Sequence, residues 1–245
     1  MDPKGKVALV TGGARIGRTV AAELARRGCD VALTYRGSRQ SAEETAREVE
    51  KLGARTLVVR ADLATSRGPA AVVRAVRRKL GRLDILVCMA SLYDRSPLRA
   101  LDEKVWEANL DSNLRSVYLL ALEAAPIMKS QGAGRIVTFA DWLPASGRPR
   151  YRSYLPYYVS KAGVVGLTES LALELAPAIL VNAIAPGPIL RPPGFSDAAD
   201  RQVRKVTPLG RWGGPLEIAR AVLFLVETEF VTGETIRVDG GRHLY

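Results

Sequence analysis

The chain has 245 residues, of which 47% are hydrophobic and 25% are charged, and its formal net charge is +11 at pH 7. A chain of this size and composition can bury a substantial core, as one α/β domain of ordinary length does. The two cysteines, Cys29 and Cys88, lie far apart and outside any C-x-x-C pair. This spacing argues against a disulfide framework and against a zinc site, so no metal is expected.

Charge and hydropathy restrict the compartment and the partners. No uninterrupted apolar run approaches the ~20 residues that span a bilayer, and no signal segment is expected before the first strand near Lys6, so we expect a cytoplasmic protein without a membrane partner. The positive charges are scattered, and the longest cluster is Arg77-Arg78-Lys79. No nucleic acid partner is therefore expected. A basic surface favours acidic partners, such as a phosphorylated cofactor or an acidic carrier protein.

Short aliphatic runs alternate with longer amphipathic ones along the whole chain. The runs predict seven strands at residues 7–10, 31–34, 56–59, 85–87, 135–139, 179–183 and 235–238. Helices are predicted from about Gly17, from about Ser41, near Pro69, over 103–129, over a segment that carries Lys161, and over 216–226. This alternation predicts an α/β fold with a doubly wound parallel sheet. Ligands of such sheets bind beyond the carboxyl ends of the strands, so functional residues are sought there.

The first strand ends in a glycine-rich turn, residues 11–17 (TGGARIG), that leads into a helix. Gly12 and Gly17 allow the backbone to approach a pyrophosphate, and the helix that begins after Ile16 directs free N–H groups toward it. The alternative is a tight strand-to-helix turn without a ligand. Because a strand precedes the turn and a helix follows it, we favour dinucleotide binding.

The end of the second strand predicts which dinucleotide binds. An acidic residue here would hydrogen-bond the adenosine ribose of NAD, but the chain has Arg36, Ser38 and Arg39 instead. Guanidinium groups pair with a 2′-phosphate, so NADP(H) is the expected cofactor, although a solvated loop is the alternative. After the third strand, Asp62 and Leu63 either approach the adenine or cap a helix.

Two further positions concern the nicotinamide end and the chemistry. The small residues Ala90 and Ser91, after the fourth strand, leave room for the nicotinamide ribose. Tyr157 and Lys161 lie four residues apart on a predicted helix, so both project from one face. The ammonium group favours the phenolate and lowers the pKa of the tyrosine, which makes Tyr157 a candidate general acid. Asn113, an unfavourable residue inside a helix, is expected to open the helix locally and to hold a water for Lys161.

Taken together, these motifs resemble the short-chain dehydrogenase/reductase family over essentially the whole chain. The matching segments are Thr11-Gly12, Asp62-Leu63, Asn113, Tyr157 with Lys161, Pro186-Gly187, Pro208-Leu209-Gly210-Arg211, Thr232-Gly233 and Asp239-Gly240-Gly241. The resemblance implies a Rossmann-type, three-layer α/β/α domain of about seven strands over residues 1–245. Its cofactor half is expected at about 1–135 and its catalytic and substrate half at about 136–245. It also implies hydride transfer between a nicotinamide cofactor and a carbonyl, in a homotetramer or homodimer.

The resemblance also implies a role for each site residue. Tyr157 would protonate the developing alkoxide, Lys161 would lower the pKa of that tyrosine and bind ribose hydroxyls, and Asn113 would complete the proton relay. The nicotinamide side of the site would be lined by Pro186, Gly187 and Ile189.

Four departures from the family pattern stand out. The glycine turn is one residue shorter than TGxxxGxG, and Arg15 occupies the place of a middle glycine, where it is expected to contact phosphate. Cys88-Met89-Ala90-Ser91 replaces NNAG. Asp141 stands where the family carries a catalytic Ser, as in pteridine reductases, and an ionised Asp cannot donate a hydrogen bond. Finally, the interval from Asp141 to Tyr157 is longer than usual, and its extra residues fall within 147–154.

The sequence thus predicts an NADPH-dependent reductase of a small carbonyl substrate, most simply a 3-oxoacyl thioester on an acidic acyl carrier protein. Two alternatives stay open: a pteridine-like reductase, and a nucleotide-binding regulatory protein without turnover. Asp141 is expected beside the Tyr157 hydroxyl, unless it faces away and Ser146 or Ser153 supplies the hydroxyl. Residues 188–204 are expected to form a mobile lid, and residues 147–154 form either a second lid or a solvated loop.

Overall fold

A computed structural model describes residues 1–147 and 152–245 of the chain. Seven parallel strands form one sheet in the order β3-β2-β1-β4-β5-β6-β7. The strands are β1 (Val7–Thr11), β2 (Asp30–Tyr35), β3 (Thr56–Arg60), β4 (Ile85–Cys88), β5 (Gly134–Phe139), β6 (Ile179–Pro186) and β7 (Thr235–Val238). Because β1 pairs with both β2 and β4, the strand order reverses direction beside β1, which is where doubly wound sheets bind their ligands. The predicted fold class and all seven predicted strands are confirmed.

Eight α-helices of the described residues cover the two faces of the sheet. They are α1 (Ile16–Arg26), α2 (Arg39–Lys51), α3 (Gly68–Leu80), α4 (Glu103–Leu110), α5 (Ser116–Ser130), α6 (Leu155–Leu175), α7 (Asp197–Lys205) and α8 (Pro215–Glu227). One hydrophobic core joins α3 and α5 to the sheet, and a second joins α1 and α8 to the opposite face. The central strands β1, β4 and β5 are buried on both sides, which explains why β1 and β4 are nearly continuous apolar runs rather than alternating ones.

The structure differs from the sequence-based expectation in two helices. The single helix predicted over 103–129 is divided by a π-turn, Asp111–Arg115, between α4 and α5. Residues 188–204, expected as a lid, include most of α7, which the sequence did not predict. Its start signal is Ser196, whose hydroxyl accepts a hydrogen bond from the backbone N–H of Ala199 at 3.2 Å. The nearby Pro and Gly residues concealed that signal.

Several ionisable groups are buried within the fold. Asp84 and Arg135 lie at the amino-terminal ends of β4 and β5 and are 1% and 5% exposed. Both cysteines are buried, and burial raises the pKa of each thiol to about 12. In the part of the chain that the structure describes, no helix is long and apolar enough to cross a membrane, and no three His, Cys, Asp or Glu side chains gather as metal ligands.

Candidate active site

A cleft of about 1030 Å³ lies across the carboxyl-terminal ends of the strands. It brings together most of the residues that the sequence singled out. Those lining it are Gly12, Arg15, Ile16, Gly17, Arg36, Ser38, Asp62, Leu63, Ala90, Ser91, Asp141, Tyr157, Pro186, Gly187 and Ile189. Three predicted site residues are not part of its lining, namely Arg39, Asn113 and Lys161.

The glycine turn is closed tightly against its neighbours. Gly12 has φ +75°, and a Cβ added there would lie 3.2 Å from the backbone nitrogen of Ala90. A Cβ on Gly17 would lie 2.2 Å from the Gly12 carbonyl oxygen, so both positions require glycine. Arg15 keeps a glycine-like conformation with φ 52° although it carries a side chain. The shortened turn therefore retains its close backbone approach by straining one residue.

The two arginines predicted to bind the 2′-phosphate of the cofactor occupy different places after β2. Arg36 and Ser38 line the cleft. Arg39 is the first residue of α2, and its Nε donates to Glu43 Oε1 at 2.7 Å, one turn along the helix. Of these two arginines, Arg36 is therefore the one at the cleft, whereas Arg39 belongs to an exposed ion pair on the helix surface.

Asp62 also has a defined structural role. Its Oδ1 accepts a hydrogen bond from the Ala64 backbone N–H at 3.1 Å, and the residue lines the cleft. The following helix, α3, begins at Gly68, with Arg67 as its N-cap residue. The alternative that Asp62 caps this helix is therefore wrong, because the helix begins too far along the chain.

The loop after β4 is held by two side chains. Thr11 Oγ1 accepts hydrogen bonds from the backbone N–H groups of Met89 and Ala90, both at 3.0 Å. Asn113 Oδ1 accepts from the Leu92 backbone N–H at 2.7 Å, and Asn113 Nδ2 donates to the Leu92 carbonyl at 3.0 Å. These contacts fix the floor of the cleft beside Ala90.

Asn113 lies in the π-turn and is completely buried. Besides its bonds to the backbone of Leu92, its Nδ2 donates to Ser160 Oγ at 3.0 Å, and its Oδ1 accepts from Ser91 Oγ at 3.1 Å. The predicted local opening of the helix is confirmed. The amide side chain, however, binds the loop after β4 and the start of α6, and among the described residues its hydrogen-bond partners do not include Lys161.

Tyr157, Lys161 and Asp141 meet at the wall of the cleft. The Tyr157 hydroxyl donates to Asp141 Oδ2 at 3.0 Å. The Lys161 ammonium lies 5.9 Å from the centroid of the Tyr157 ring and donates to the Phe139 carbonyl at 2.7 Å. Asp141 Oδ1 accepts from the Leu143 backbone N–H at 2.9 Å. Asp141, which directly follows Ala140 at the end of β5, therefore occupies the expected position beside the tyrosine hydroxyl.

Burial determines the electrostatics of this group. It lowers the pKa of Lys161 to about 8, against the opposing effect of the Asp141 charge. It also raises the pKa of Asp141, although the hydrogen bonds from Leu143 and Tyr157 and the charge of Lys161 oppose the rise. Both groups thus have pKa values displaced toward neutrality, which is typical of acid–base sites.

The alternative hydroxyl donors are not placed for this role. Ser146 Oγ donates to the Trp142 carbonyl at 2.6 Å, and neither Ser146 nor Ser153 lines the cleft. The alternative in which Asp141 faces away is therefore wrong. Of the longer interval, residues 148–151 lie outside the described part of the chain, so its role as a lid stays a prediction.

Sequence reasoning anticipated only part of the substrate end of the cleft. Arg152, Tyr154 and Phe195 lie within residues 147–154 and 188–204, for which a lid is considered, whereas Tyr93, Trp142, Trp212 and Arg242 were missed. Tyr93 stacks on Tyr154 with ring centroids 4.9 Å apart and meets the Tyr157 ring edge-on at 4.7 Å. Further lining residues at this end are Trp142, Arg152, Phe195, Trp212 and Arg242. They come from five separate segments, so only the fold brings them together. One signal in the sequence could have indicated Tyr93. This residue closely follows the segment after β4, residues 88–91, that differs from the NNAG of the family.

Comparisons with known proteins agree with this geometry. A family profile described as enoyl-(acyl carrier protein) reductase matches residues 12–243. The 3-oxoacyl-(acyl-carrier-protein) reductase FabG of Staphylococcus aureus strain Mu50 is 36% identical over 245 residues, with 98% of each protein covered. A crystallised short-chain dehydrogenase/reductase of Serratia marcescens has a TM-score of 0.91 at 34% identity, covering 99% of this chain and 100% of that one.

A further solved structure, the NADPH-dependent 3-quinuclidinone reductase of Rhodotorula rubra, has a TM-score of 0.89 at 30% identity and covers 100% of this chain and 93% of that one. All of these similarities extend over nearly the entire chain and include both the glycine turn and the segment with Tyr157 and Lys161. The chain therefore belongs to the short-chain dehydrogenase/reductase family and is an oxidoreductase.

Proposed function

We propose that the protein is an NADPH-dependent carbonyl reductase in which Tyr157 donates the proton. The observation that carries this proposal is the position of the Tyr157 hydroxyl at the cleft wall, with the buried Lys161 ammonium beside its ring and the Asp141 carboxyl 3.0 Å away. A phenol with a cation on one side and an open cleft on the other is suited to protonating a developing alkoxide.

The residues of the cleft fit a nicotinamide dinucleotide. No side chain of the described residues caps α1, whose first N–H groups follow the glycine turn at the cleft. Such groups, together with the positive end of the helix dipole, bind a pyrophosphate. Arg36 and Ser38 would hold a 2′-phosphate, and Arg15 adds a second guanidinium at the turn. When bound, this cofactor supplies the hydride, while the chain supplies the proton and the geometry.

Lys161 keeps the tyrosine acidic. Because the pKa of Lys161 is lowered only to about 8, this side chain is charged in most of the protein molecules at neutral pH. The charge favours the phenolate that remains after Tyr157 has given up its proton. The bond from Lys161 to the Phe139 carbonyl fixes the ammonium group at the end of β5, below the cleft.

Asp141 distinguishes this site from one with serine at the same position. If protonated, it can donate a hydrogen bond to a carbonyl oxygen as serine does; if ionised, it accepts one from a substrate N–H. The contact between Asp141 and the Tyr157 hydroxyl therefore favours a second candidate function, reduction of a pteridine-like ring that carries N–H donors. The raised pKa of Asp141 supports the protonated form and hence the carbonyl reductase.

For the substrate class we infer a 3-oxoacyl thioester, carried on an acidic acyl carrier protein. Support comes from the 36% identity to a 3-oxoacyl-(acyl-carrier-protein) reductase over the whole chain. The net charge of +11 further favours an acidic carrier. We also infer a homotetramer or homodimer that uses α5 and α6, because Tyr118, Leu122 and Leu173 leave large apolar side chains exposed on these helices.

The deciding experiment measures NADPH consumption with an acetoacetyl thioester, a dihydropteridine and simple ketones or quinones. We expect turnover with the thioester, and NADPH affinity at least about tenfold above that for NADH, since one lost phosphate contact corresponds to about 1.4 kcal/mol. Arg36→Ala should remove this preference, and Arg39→Ala is the matched control on the helix surface. Turnover of the dihydropteridine alone would favour the second candidate, and equal affinity for NADH would refute the cofactor assignment.

A further inference from the structure

Residues 188–205, which we call the lid, run from the end of β6 through α7 and cover the substrate end of the cleft. Pro188, Ile189, Phe195 and Val203 of the lid line that end. Trp212 also lines it but lies outside the lid, in the loop before α8. The contacts between this one indole and the lid determine the shape of the substrate end.

The base of the lid is attached to the backbone beside Trp212. The Gly213 N–H donates to the Pro188 carbonyl, and the Gly214 N–H donates to the Ile189 carbonyl, both at 2.9 Å. A Cβ added to Gly213 would lie 3.1 Å from Ile189 Cδ1, so the two segments are closely packed. The main chain next to Trp212 is thus fixed to the first two residues of the lid.

The far end of the lid holds the indole ring itself. Trp212 Nε1 donates to Asp200 Oδ1 at 2.6 Å, and Arg204 Nε donates to Asp200 Oδ2 at 2.9 Å. Asp200, on α7, is 8% exposed. The Trp212 N–H first, and then Arg204, hold the pKa of this carboxyl below its ordinary value, so the carboxylate is ionised at neutral pH. A hydrogen bond to an ionised acceptor is about twice as strong as one between neutral groups.

A third contact joins the middle of the lid to the same ring. Phe195 meets Trp212 edge to face, with ring centroids 6.0 Å apart and an interplanar angle of 86°. Aromatic pairs of this geometry stabilise by about 0.5–1.5 kcal/mol beyond burial of their area. The start, the middle and the helix of the lid therefore all contact Trp212 or its immediate neighbours, and the same indole forms part of the cleft wall.

We propose that Trp212 is the specificity-determining residue that limits the size of the carbonyl substrate, and that Asp200 is the positioning residue that holds its indole in the cleft wall. This inference rests on the proposed carbonyl reductase function and identifies its favoured substrates as ketones with a small group beside the carbonyl. An indole that packs against Phe195 and is held at its N–H by Asp200 cannot readily turn aside for a bulky aryl group. Removing the ring, or releasing it, enlarges the substrate end without touching Tyr157.

The kinetic test compares a small and a bulky 3-oxoester, ethyl acetoacetate and ethyl benzoylacetate, with NADPH. In Trp212→Ala, the ratio of kcat/KM for the bulky over the small ester should rise at least about tenfold, mainly through KM, as expected for altered pocket volume. Asp200→Leu should raise the ratio about threefold to fivefold, since the ring stays but is released. Asp200→Asn should keep the original ratio, because the amide oxygen still accepts from Trp212.

The matched control is Asp197→Asn, which removes a carboxylate from the same helix. The Asp197 side chain is 80% exposed, pairs with Arg191 and, among the described residues, has no hydrogen bond to Trp212. This variant should leave the ratio unchanged. An unchanged ratio in Trp212→Ala, or an Asp200→Asn variant as altered as Asp200→Leu, would overturn the proposal, because volume and position of the indole would then not limit the substrate.

A second measurement does not depend on turnover. Trypsin can cut the lid after Arg201, Arg204 and Lys205 on α7. Cleavage at these bonds, followed by mass spectrometry, should be at least about fivefold faster in Asp200→Leu than in the unaltered protein, and unchanged in Asp200→Asn and Asp197→Asn. If the unaltered protein reduces neither ester but the cleavage rates follow this order, the proposed function fails and the anchoring of the lid stands. Equal cleavage rates in all four proteins would refute the anchoring itself.

Discussion

The two ends of the central sheet both bury charged side chains, but they use them differently. At the amino-terminal ends of the strands lie Asp84 and Arg135, and at the carboxyl-terminal ends lie Asp141 and Lys161. Asp84 accepts two hydrogen bonds from Arg82, both at 2.7 Å, and one from the Val7 N–H at 2.9 Å. The Asp84 carboxylate is thus paired within the protein and contributes to the packing of the strand ends.

Arg135 is likewise paired within the protein, but its partners are backbone carbonyls. Its guanidinium donates to the carbonyls of Gly134, Val226 and Thr228 at 2.9 to 3.1 Å, and so joins β5 to the end of α8. Lys161, in contrast, has one carbonyl partner among the described residues, and Asp141 shares its carboxyl with the Tyr157 hydroxyl at an open cleft. Charged side chains therefore serve structure at one end and chemistry at the other, and the number and type of partners distinguish the two.

The largest effect that tests this distinction is expected at Tyr157. Tyr157→Phe removes the proton donor but keeps the ring, so turnover should fall about 10³-fold while NADPH binding stays nearly unchanged. The measurements are the steady-state rate of NADPH oxidation and the dissociation constant of NADPH. Tyr158→Phe, at the adjacent position outside the cleft lining, is the control and should keep its rate. A normal rate in Tyr157→Phe would show that another group donates the proton.

The opposite end of the sheet should respond in stability and not in rate. Arg135→Met removes the guanidinium donor from three carbonyls, of which that of Val226 keeps the Met1 amino group as a donor at 2.9 Å, and the free energy of unfolding should fall by about 3 kcal/mol. Urea denaturation measures this change, and kcat of the folded variant should stay within about twofold. Arg220→Met is the control, because its ion pair with Glu217 is exposed and contributes little. A large loss of kcat in folded Arg135→Met would contradict the separation of the two ends.

The pH dependence of the reduction rate reports on Lys161. Raising the pH through its pKa of about 8 removes the positive charge, so the rate should decline above that pH, by up to about tenfold per unit. In Asp141→Asn the decline should move to lower pH if Asp141 is ionised, since its charge raises the pKa of Lys161. An unmoved decline would indicate that Asp141 is already protonated. A rate that rises through pH 8 would contradict the role of the lysine.

The smallest expected effect is a gain in stability. Because burial raises the pKa of Asp141, this carboxyl destabilises the folded state at every pH above its ordinary pKa of 3.8. Asp141→Asn should therefore increase the free energy of unfolding at neutral pH by about 1 kcal/mol, and the gain should shrink as the pH falls and disappear below 3.8, where the carboxyl is protonated in both states. Denaturation at two pH values measures it. Loss of stability in this variant would mean that Asp141 has a structural role like that of Asp84.

The parts of the molecule that follow from local signals could be predicted from the sequence. Each strand is a largely apolar run bounded by turn residues, and Gly12 and Gly17 mark a turn that the preceding strand and the following helix identify. The placement of Asp141 beside Tyr157 followed from resemblance to a family, and the structure confirms it.

The remaining features depend on contacts that no local pattern records. Arg39 is predicted to bind the cofactor, and the sequence pattern did not show that α2 places Glu43 one turn away, where it pairs with this guanidinium. The Trp212 indole is bound by Asp200, which is the one buried residue of a short polar helix. Tyr93 lies in a loop that Asn113 holds in place. Such residues become visible only when separate segments are brought together, because their partners are chosen by the fold.

The burial of both cysteines has a practical consequence. Cys29 and Cys88 are at most 3% exposed, and with thiol pKa values near 12 they present almost no thiolate at neutral pH. A thiol-reactive dye should therefore not react with the unaltered chain. A cysteine introduced at exposed Ala198, on the outer side of α7, would be the one site that reacts, and a fluorophore attached there would follow lid movement without any prior removal of native thiols.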